Sequence, residues 1–220
     1  MRIPAGRLPP TSRVVPLLRH FQNLGTNGRT CFTCHQPQNG WTVSAAGVQA
    51  RFKASSGTDP IFRLVDGATC PSDNVKTLDA KREAYKLLID KGLIRIGLPI
   101  PAANLQFAVT NVADPYNCTT NPATGLTSPT AGIVSVYRRP LPSTNLGFLS
   151  TIMFDGREPS LQSQAIDATL GHAQANTAPT ADQVSQIVAF ESGIFTAQNF
   201  DNEARNLHAR RAFQLLHRHK

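Results

Sequence analysis

The sequence has little charge, few aromatic residues and no long apolar run. Asp, Glu, Lys and Arg make up 16% of its 220 residues, and Phe, Trp and Tyr make up 7%. No stretch approaches the roughly 20 apolar residues that a transmembrane helix needs, so we expect no membrane span. A hydrophobic content of 40% argues against a disordered chain, and 15 glycines with 16 prolines predict a loop-rich globular protein.

Basic residues concentrate near the C-terminus, where no acidic residue follows Glu203. A segment of this kind suits either an acidic partner or a solvated terminal helix. Nucleic-acid-binding surfaces interleave basic and aromatic residues, whereas Phe213 is the single aromatic residue after Glu203. We therefore expect residues 200–220 to form a solvated basic tail, with no nucleic-acid partner.

The first two of the four cysteines belong to a C-x-x-C-H motif, Cys31 to His35. Two thiols three positions apart on one turn can bond the two vinyl groups along one porphyrin edge, and the next residue then directs its imidazole at the iron. The motif predicts one covalently attached haem c, bound through Cys31 and Cys34, with His35 as an iron ligand.

Two other chemistries use closely spaced cysteines. A thioredoxin-type site needs a preceding strand and a helix N-terminus under the first thiol, but residues 25–30 are turn-like and no βαβ pattern surrounds them. A structural zinc site needs a second pair of ligands, and Cys70 and Cys118 stand alone in the sequence. Haem attachment is therefore the favoured interpretation.

Cys70 and Cys118 are either two unrelated buried thiols or a disulfide in an oxidising compartment. Haem attachment is normally extracytoplasmic, so we expect a periplasmic or otherwise extracytoplasmic protein. No secretory signal is visible in the first residues, because Pro16 and Arg19 interrupt their single apolar patch.

A second haem ligand is predicted from the few donors that remain. Met153 is the one methionine besides Met1, and it lies in a loop just before a predicted helix, where a side chain can be directed at a cofactor. A thioether ligand stabilises ferrous iron. The alternatives are His172 and an open sixth position, and the open position favours an enzyme.

Hydrophobic periodicity and turn residues predict several helices and two short strands. The predicted helices cover 12–24, 43–54, 75–92, the residues after Ser160, and 180–196, where Thr180 and Gln183 form a capping box. The predicted strands cover 105–112 and 132–138.

Two groups of motifs, one near the N-terminus and one in the C-terminal half, resemble those of a known family. The C-x-x-C-H motif, the run Met153-Phe154-Asp155-Gly156-Arg157, and then Leu161, Gln164 and Ala165 resemble the bacterial diheme cytochrome c peroxidases and the related methylamine-utilisation diheme enzymes. In that family an M-H-D-G motif carries the methionine ligand of the electron-transfer haem, and a D-G-R-x-x-x-L-x-x-Q-A run follows the peroxidatic haem motif.

The resemblance implies a mainly α fold, a cytochrome c-like helical haem domain with a loop-rich insertion carrying short β-strands. The predicted division is a single domain over 1–199, with the insertion at about 60–150, followed by the tail at 200–220.

Two functions remain open at this point. The first is a haem-c electron-transfer protein that cycles Fe(III)/Fe(II) with His35 and Met153 as axial ligands. The alternative is a peroxidase-like enzyme that reduces hydrogen peroxide at an open haem site, with Gln164 or His172 near the reacting face. The expected partner is a redox protein, together with a second haem domain or a second copy if the chain is one half of a diheme enzyme.

Overall fold

The computed structural model describes residues 22–99, 115–116, 118 and 133–196, and the backbone of 200–201 and 205–206. The predicted helix at 12–24 lies outside these residues except for its last three positions, which are not helical. The predicted strand at 105–112 and most of the basic tail also lie outside them.

Five α-helices occur in the described part of the chain. They are α1 (Ala45–Ser55), α2 (Leu78–Ala84), α3 (Lys86–Lys91), α4 (Leu161–Gly171) and α5 (Ala181–Ser192). The hydroxyls of Ser44, Thr77, Ser160 and Thr180 accept hydrogen bonds from backbone amides in the first turns of α1, α2, α4 and α5, which satisfies donors that a helix start leaves unpaired. The helices predicted at 43–54, after Ser160 and at 180–196 are confirmed, as is the Thr180–Gln183 capping box.

The helix predicted at 75–92 is interrupted at Tyr85, where φ is −97° and ψ is 15°. The Tyr85 hydroxyl donates a hydrogen bond of 3.1 Å to the Phe62 carbonyl, and the two ring centroids are 5.2 Å apart. These contacts fix the side chain in the interior, so α2 and α3 form two short helices on either side of it.

Two antiparallel strands form a small sheet beside the helices. Strand β1 (Ile94–Pro99) pairs with β2 (Ile133–Arg138), with Ile94 opposite Arg138. The strand predicted at 132–138 is therefore confirmed, whereas β1 was not predicted because Gly97 and Pro99 weaken a strand pattern. The short β3 (Phe200–Asp201) and β4 (Arg205–Asn206) also pair antiparallel.

The hydrophobic core lies between α1, α3, β1 and the loop before α2. Its central side chains include Phe52, Ile61, Phe62, Leu88 and Ile94, all buried. Phe52 and Phe62 pack edge to face with centroids 5.2 Å apart, an arrangement that aromatic pairs prefer. The Cys34 side chain packs against this core, so the core supports one end of the C-x-x-C-H motif.

The predicted fold class, a mainly α, cytochrome c-like helical haem domain, is wrong. The described helices have 6 to 12 residues, and they are combined with the β1–β2 sheet and long irregular segments. Residues 61–94 lie within the predicted insertion at about 60–150 and supply most of the buried core; the bounds of the insertion stay a prediction. The error arose because apolar residues in irregular loops carry no helical period. The division at residue 199 stays a prediction.

Cys70 and Cys118 form a disulfide, which confirms the pairing considered from the sequence. It closes a loop of 48 residues and lies beside Tyr137 of β2, whose hydroxyl donates to the Thr69 carbonyl at 3.0 Å. The bridge therefore links Cys118 to the loop before α2. None of the helices in the described ranges is both long and apolar enough to cross a membrane.

Candidate functional site

The candidate site residues all line one cavity of about 430 Å³. They are Cys31, Cys34, His35, Met153, Gln164 and His172. Its walls are mostly apolar and include Ile94, Ile96, Leu146, Ile152, Leu161 and Ile187. The volume lies within the range of roughly 300–1,000 Å³ that small-molecule and cofactor sites occupy. The fold thus brings together residues that are more than 100 positions apart in the sequence.

The C-x-x-C-H motif forms one tight turn at the cavity wall. Residues Cys31–Thr33 are a 3₁₀ helix, and the His35 amide donates to the Cys31 carbonyl at 3.0 Å. The Thr30 amide donates to the Thr33 hydroxyl at 3.0 Å, which closes the start of the turn. Both thiols and the following imidazole therefore border the same space.

The two thiols are not bonded to each other. Burial raises the pKa of Cys31 to about 12, with a further contribution from the Glu191 carboxylate, and burial raises the pKa of Cys34 to about 11. Reactive cysteines of the thioredoxin type have a lowered pKa. The environment of Cys31 and Cys34 therefore argues against a thiolate nucleophile.

The imidazole of His35 is held by its Nδ1 atom. Nδ1 lies 2.9 Å from the Trp41 carbonyl oxygen, and because a carbonyl can only accept, Nδ1 carries the proton. The lone pair is then on Nε2. Burial lowers the pKa of His35 below its ordinary value, so the ring is neutral near pH 7. A histidine that donates its other nitrogen to a backbone carbonyl has the usual arrangement of a metal ligand.

Ser143 completes the environment of His35. Its hydroxyl oxygen lies 2.8 Å from His35 Nδ1, and its amide donates to the Trp41 carbonyl at 3.1 Å. The Nδ1 proton is therefore shared between the Trp41 carbonyl and the Ser143 hydroxyl. Ser143 itself is buried, so the residues just after β2 fix the orientation of a ring that lies in the N-terminal part of the chain.

His172 is oriented by a buried carboxylate. Its Nδ1 lies 2.6 Å from Asp66 Oδ2, and the same oxygen accepts a hydrogen bond of 2.6 Å from Arg29. Burial raises the pKa of Asp66, but the His172 hydrogen bond and the Arg29 charge outweigh that effect and hold the pKa below its ordinary value. Because an ionised carboxylate only accepts, His172 Nδ1 carries a proton and donates the hydrogen bond to Asp66.

Met153 borders the cavity from a turn with unusual backbone geometry. Its φ is 73°, a left-handed conformation that is uncommon for a residue other than glycine. Such conformations cost about 1–3 kcal/mol and are found at functional sites. The Gly156 amide donates to the Met153 carbonyl at 3.4 Å. Met153 is thus placed beside the cavity by a constrained turn.

Gln164 lies on the face of α4 that borders the cavity, together with Leu161, Ala165 and Ala168. His172 follows as the C-cap of this helix. The spacing of three or four residues puts these side chains on one helix face. The L-x-x-Q-A part of the sequence motif, which begins at Leu161, therefore lies on a helix that forms one wall of the cavity and ends at His172.

Glu191 of α5 is a buried acid on the same cavity wall. Its Oε2 atom has no hydrogen-bond partner, and burial raises the pKa of Glu191 to about 7. The sequence patterns did not single out this residue, nor Ser143, Asp66 and Arg29. The surroundings of each one are set by segments that are distant in the sequence, and no local spacing marks such positions.

Within the described ranges, no group of three or more His, Cys, Asp and Glu side chains is arranged to hold a metal ion. A haem iron takes four ligands from the porphyrin, so this finding bears only on metal sites built from protein side chains. Comparison of the chain with models of known protein families, with curated proteins and with solved structures finds no match. The resemblance to diheme peroxidases stays a prediction from the motifs.

Proposed function

We propose that this chain is a haem-c electron-transfer protein, with thioether bonds at Cys31 and Cys34 and with His35 as an iron ligand. The carrying observation is the neutral, Nδ1-protonated imidazole of His35 beside two unbonded thiols in one apolar cavity. A haem bound there would supply an Fe(III)/Fe(II) couple for single-electron transfer. Cys31 and Cys34 would hold it, and the Trp41 carbonyl and the Ser143 hydroxyl orient His35.

The charge on the cavity wall supports the proposal. Arg138, Arg139 and Arg157 line the cavity together with Arg29. Haem carries two propionate carboxylates, and arginine is well suited to carboxylates because its planar group donates two parallel hydrogen bonds. Arg138 and Arg157 already lie 3.1 and 2.9 Å from oxygens of Asp155. This part of the cavity wall therefore has both the charge and the geometry to bind anionic groups.

A peroxidase-like enzyme is the second candidate function. The pair of Asp66 and His172 favours it, because a carboxylate-oriented imidazole beside an open haem position can move protons during O–O cleavage. Gln164 on the same wall would be a further hydrogen-bonding group. In either case the partner is a redox protein, and covalent haem attachment and the Cys70–Cys118 bridge favour an extracytoplasmic location.

The test is the absorption spectrum of protein produced in a periplasm that contains the haem-attachment machinery. The proposal predicts the sharp reduced bands of a c-type haem, and a low-spin oxidised spectrum that resists cyanide. The variant H35A should keep the covalent haem but become high-spin. Protein without covalent haem would refute the proposal, and a high-spin wild type that reacts with peroxide would select the enzyme.

A matched cysteine control separates haem attachment from folding. The double variant C31A/C34A should lose covalent haem, whereas C70A/C118A should retain it, because the disulfide pair does not line the cavity. Equal loss of haem in both double variants would show that misfolding, and not the loss of the attachment thiols, explains the result.

A further inference from the structure

His172 stands out among the cavity residues because its support matches that of His35. Both imidazoles donate from Nδ1 to a fixed acceptor, a carbonyl for His35 and the Asp66 carboxylate for His172. In each ring Nε2 is the nitrogen left to bind a metal. The cavity therefore carries two imidazoles whose Nδ1 atoms are held by acceptors, as is usual for metal-ligating histidines.

The backbone at His172 is fixed by the loop that precedes the C-x-x-C-H motif. The His172 carbonyl accepts a hydrogen bond of 2.8 Å from the Asn27 amide group and one of 3.3 Å from Arg29. The Thr26 amide donates to the Ala173 carbonyl at 3.1 Å. The end of α4 is thus bound to the chain just ahead of Cys31, and His172 keeps a set position relative to the haem-attachment turn.

Gly25 shows how close this approach is. A β-carbon at Gly25 would lie 1.8 Å from the carbonyl oxygen of Ala173, a distance that no real contact has. Only glycine allows the loop and the end of α4 to meet in this way. The contact therefore depends on the sequence of both segments.

The carboxylate that orients His172 is itself held by a second partner. Arg29 and Asp66 are each 3% exposed and form a buried ion pair. Asp66 is therefore fixed by Arg29 while it accepts the hydrogen bond from His172 Nδ1.

Met153 lacks comparable support. No hydrogen-bonded network can orient a thioether strongly, because its sulfur is a weak acceptor. The neighbouring Phe154 is 58% exposed. The Met153 side chain is therefore the less constrained of the two donors beside the cavity.

We propose that His172 is the second axial ligand of the haem iron, with Asp66 as its orienting carboxylate and Arg29 as the counter-charge of Asp66. This inference rests on the proposed function and replaces Met153, the second ligand predicted from the sequence, with His172. An imidazole in place of a thioether lowers the reduction potential. The protein would then exchange electrons with a partner of lower potential than a His/Met haem requires.

The experiment compares spectra of the haem-loaded wild type with those of H172A and M153A. The inference predicts that the oxidised wild type is low-spin and lacks the far-red band of iron–sulfur ligation. M153A should keep this spectrum, whereas H172A should become high-spin and bind cyanide. Added imidazole should restore the low-spin spectrum of H172A, which a merely structural defect would not allow. A far-red band that M153A loses and H172A keeps would overturn the inference.

A second variant guards against misfolding of H172A. The variant H172M replaces one ligand by another and should gain the far-red band that the wild type lacks. Haem content is measured separately after denaturation. A wild type without covalent haem refutes the proposed function itself, whereas covalent haem in a high-spin wild type refutes the ligand assignment alone.

The positioning role of Asp66 gives an independent readout. D66N replaces an obligate acceptor with an amide and weakens the orientation of His172. The expected result is a mixed low-spin and high-spin spectrum and a raised midpoint potential, with covalent haem content unchanged. An unchanged spectrum and potential would show that Asp66 does not act through the haem ligand.

Discussion

Removal of the Arg29 side chain should cost more stability than removal of any surface charge. Arg29 pairs with Asp66, and it also donates hydrogen bonds of 2.8 and 2.7 Å to the carbonyls of Pro60 and Ile61. In R29M the buried Asp66 carboxylate keeps only His172 as a partner. Removing one member of a buried pair costs about 3–5 kcal/mol, because the other charge stays buried without compensation.

The assay is urea unfolding followed by far-ultraviolet circular dichroism, with R51M as the matched control. Arg51 also pairs with an aspartate, Asp59, but the two side chains are 20% and 23% exposed. We expect R51M to lower the free energy of unfolding by only about 1–2 kcal/mol, since water can replace part of the interaction that Arg51 makes. The double variant R29M/D66L should recover more than half of the R29M loss. The reasoning is refuted if R29M loses no more than R51M, or if the double variant recovers nothing.

The other predictions concern an acid, the disulfide and the core. The pKa of Glu191 is about 7 in the folded chain and 4.5 as an ordinary glutamate. The stability that the protonated Glu191 carboxyl contributes is therefore fully present below pH 4.5. The free energy of unfolding then falls by about 3 kcal/mol as the pH rises through 7. E191Q should flatten this part of the stability–pH profile, and an unchanged slope would contradict the assignment. C70A/C118A should lower the free energy of unfolding by about 4 kcal/mol in denaturant unfolding, because the bridge restricts a loop of 48 residues in the unfolded chain. A decrease below about 1 kcal/mol would show that this loop is already constrained without the bridge. L88A should lose about 2–5 kcal/mol, whereas L78A on the surface should lose less than about 0.5 kcal/mol; equal losses would contradict the burial of Leu88.

Local structure could largely be predicted from the sequence. The capping residues Ser160 and Thr180 and the apolar spacing behind them mark α4 and α5, and these helices form as expected. The break at Tyr85 could not be predicted, because its cause is a hydrogen bond to Phe62 across the core. Strand β1 was missed for a related reason, since Gly97 is tolerated there only because β2 provides the pairing.

The candidate site residues could be named from the sequence, but not how they are held. The C-x-x-C-H motif predicts Cys31, Cys34 and His35 by spacing alone, and the structure places them beside the same cavity as Met153 and His172. The residues that orient the two imidazoles could not be found from the sequence. Their partners lie in separate loops, and no spacing rule connects such positions. The failed fold-class prediction has the same origin, because the motifs describe the site and not the surrounding core.

The most direct test of the central claim is the intact mass of the denatured protein, purified from a periplasm that carries the haem-attachment machinery. The account predicts the mass of the chain plus one haem, with the haem on the peptide that contains Cys31 and Cys34 after proteolysis. It predicts no haem on C31A/C34A. A chain mass without haem, while a known c-type cytochrome made in the same cells is fully loaded, would contradict the account.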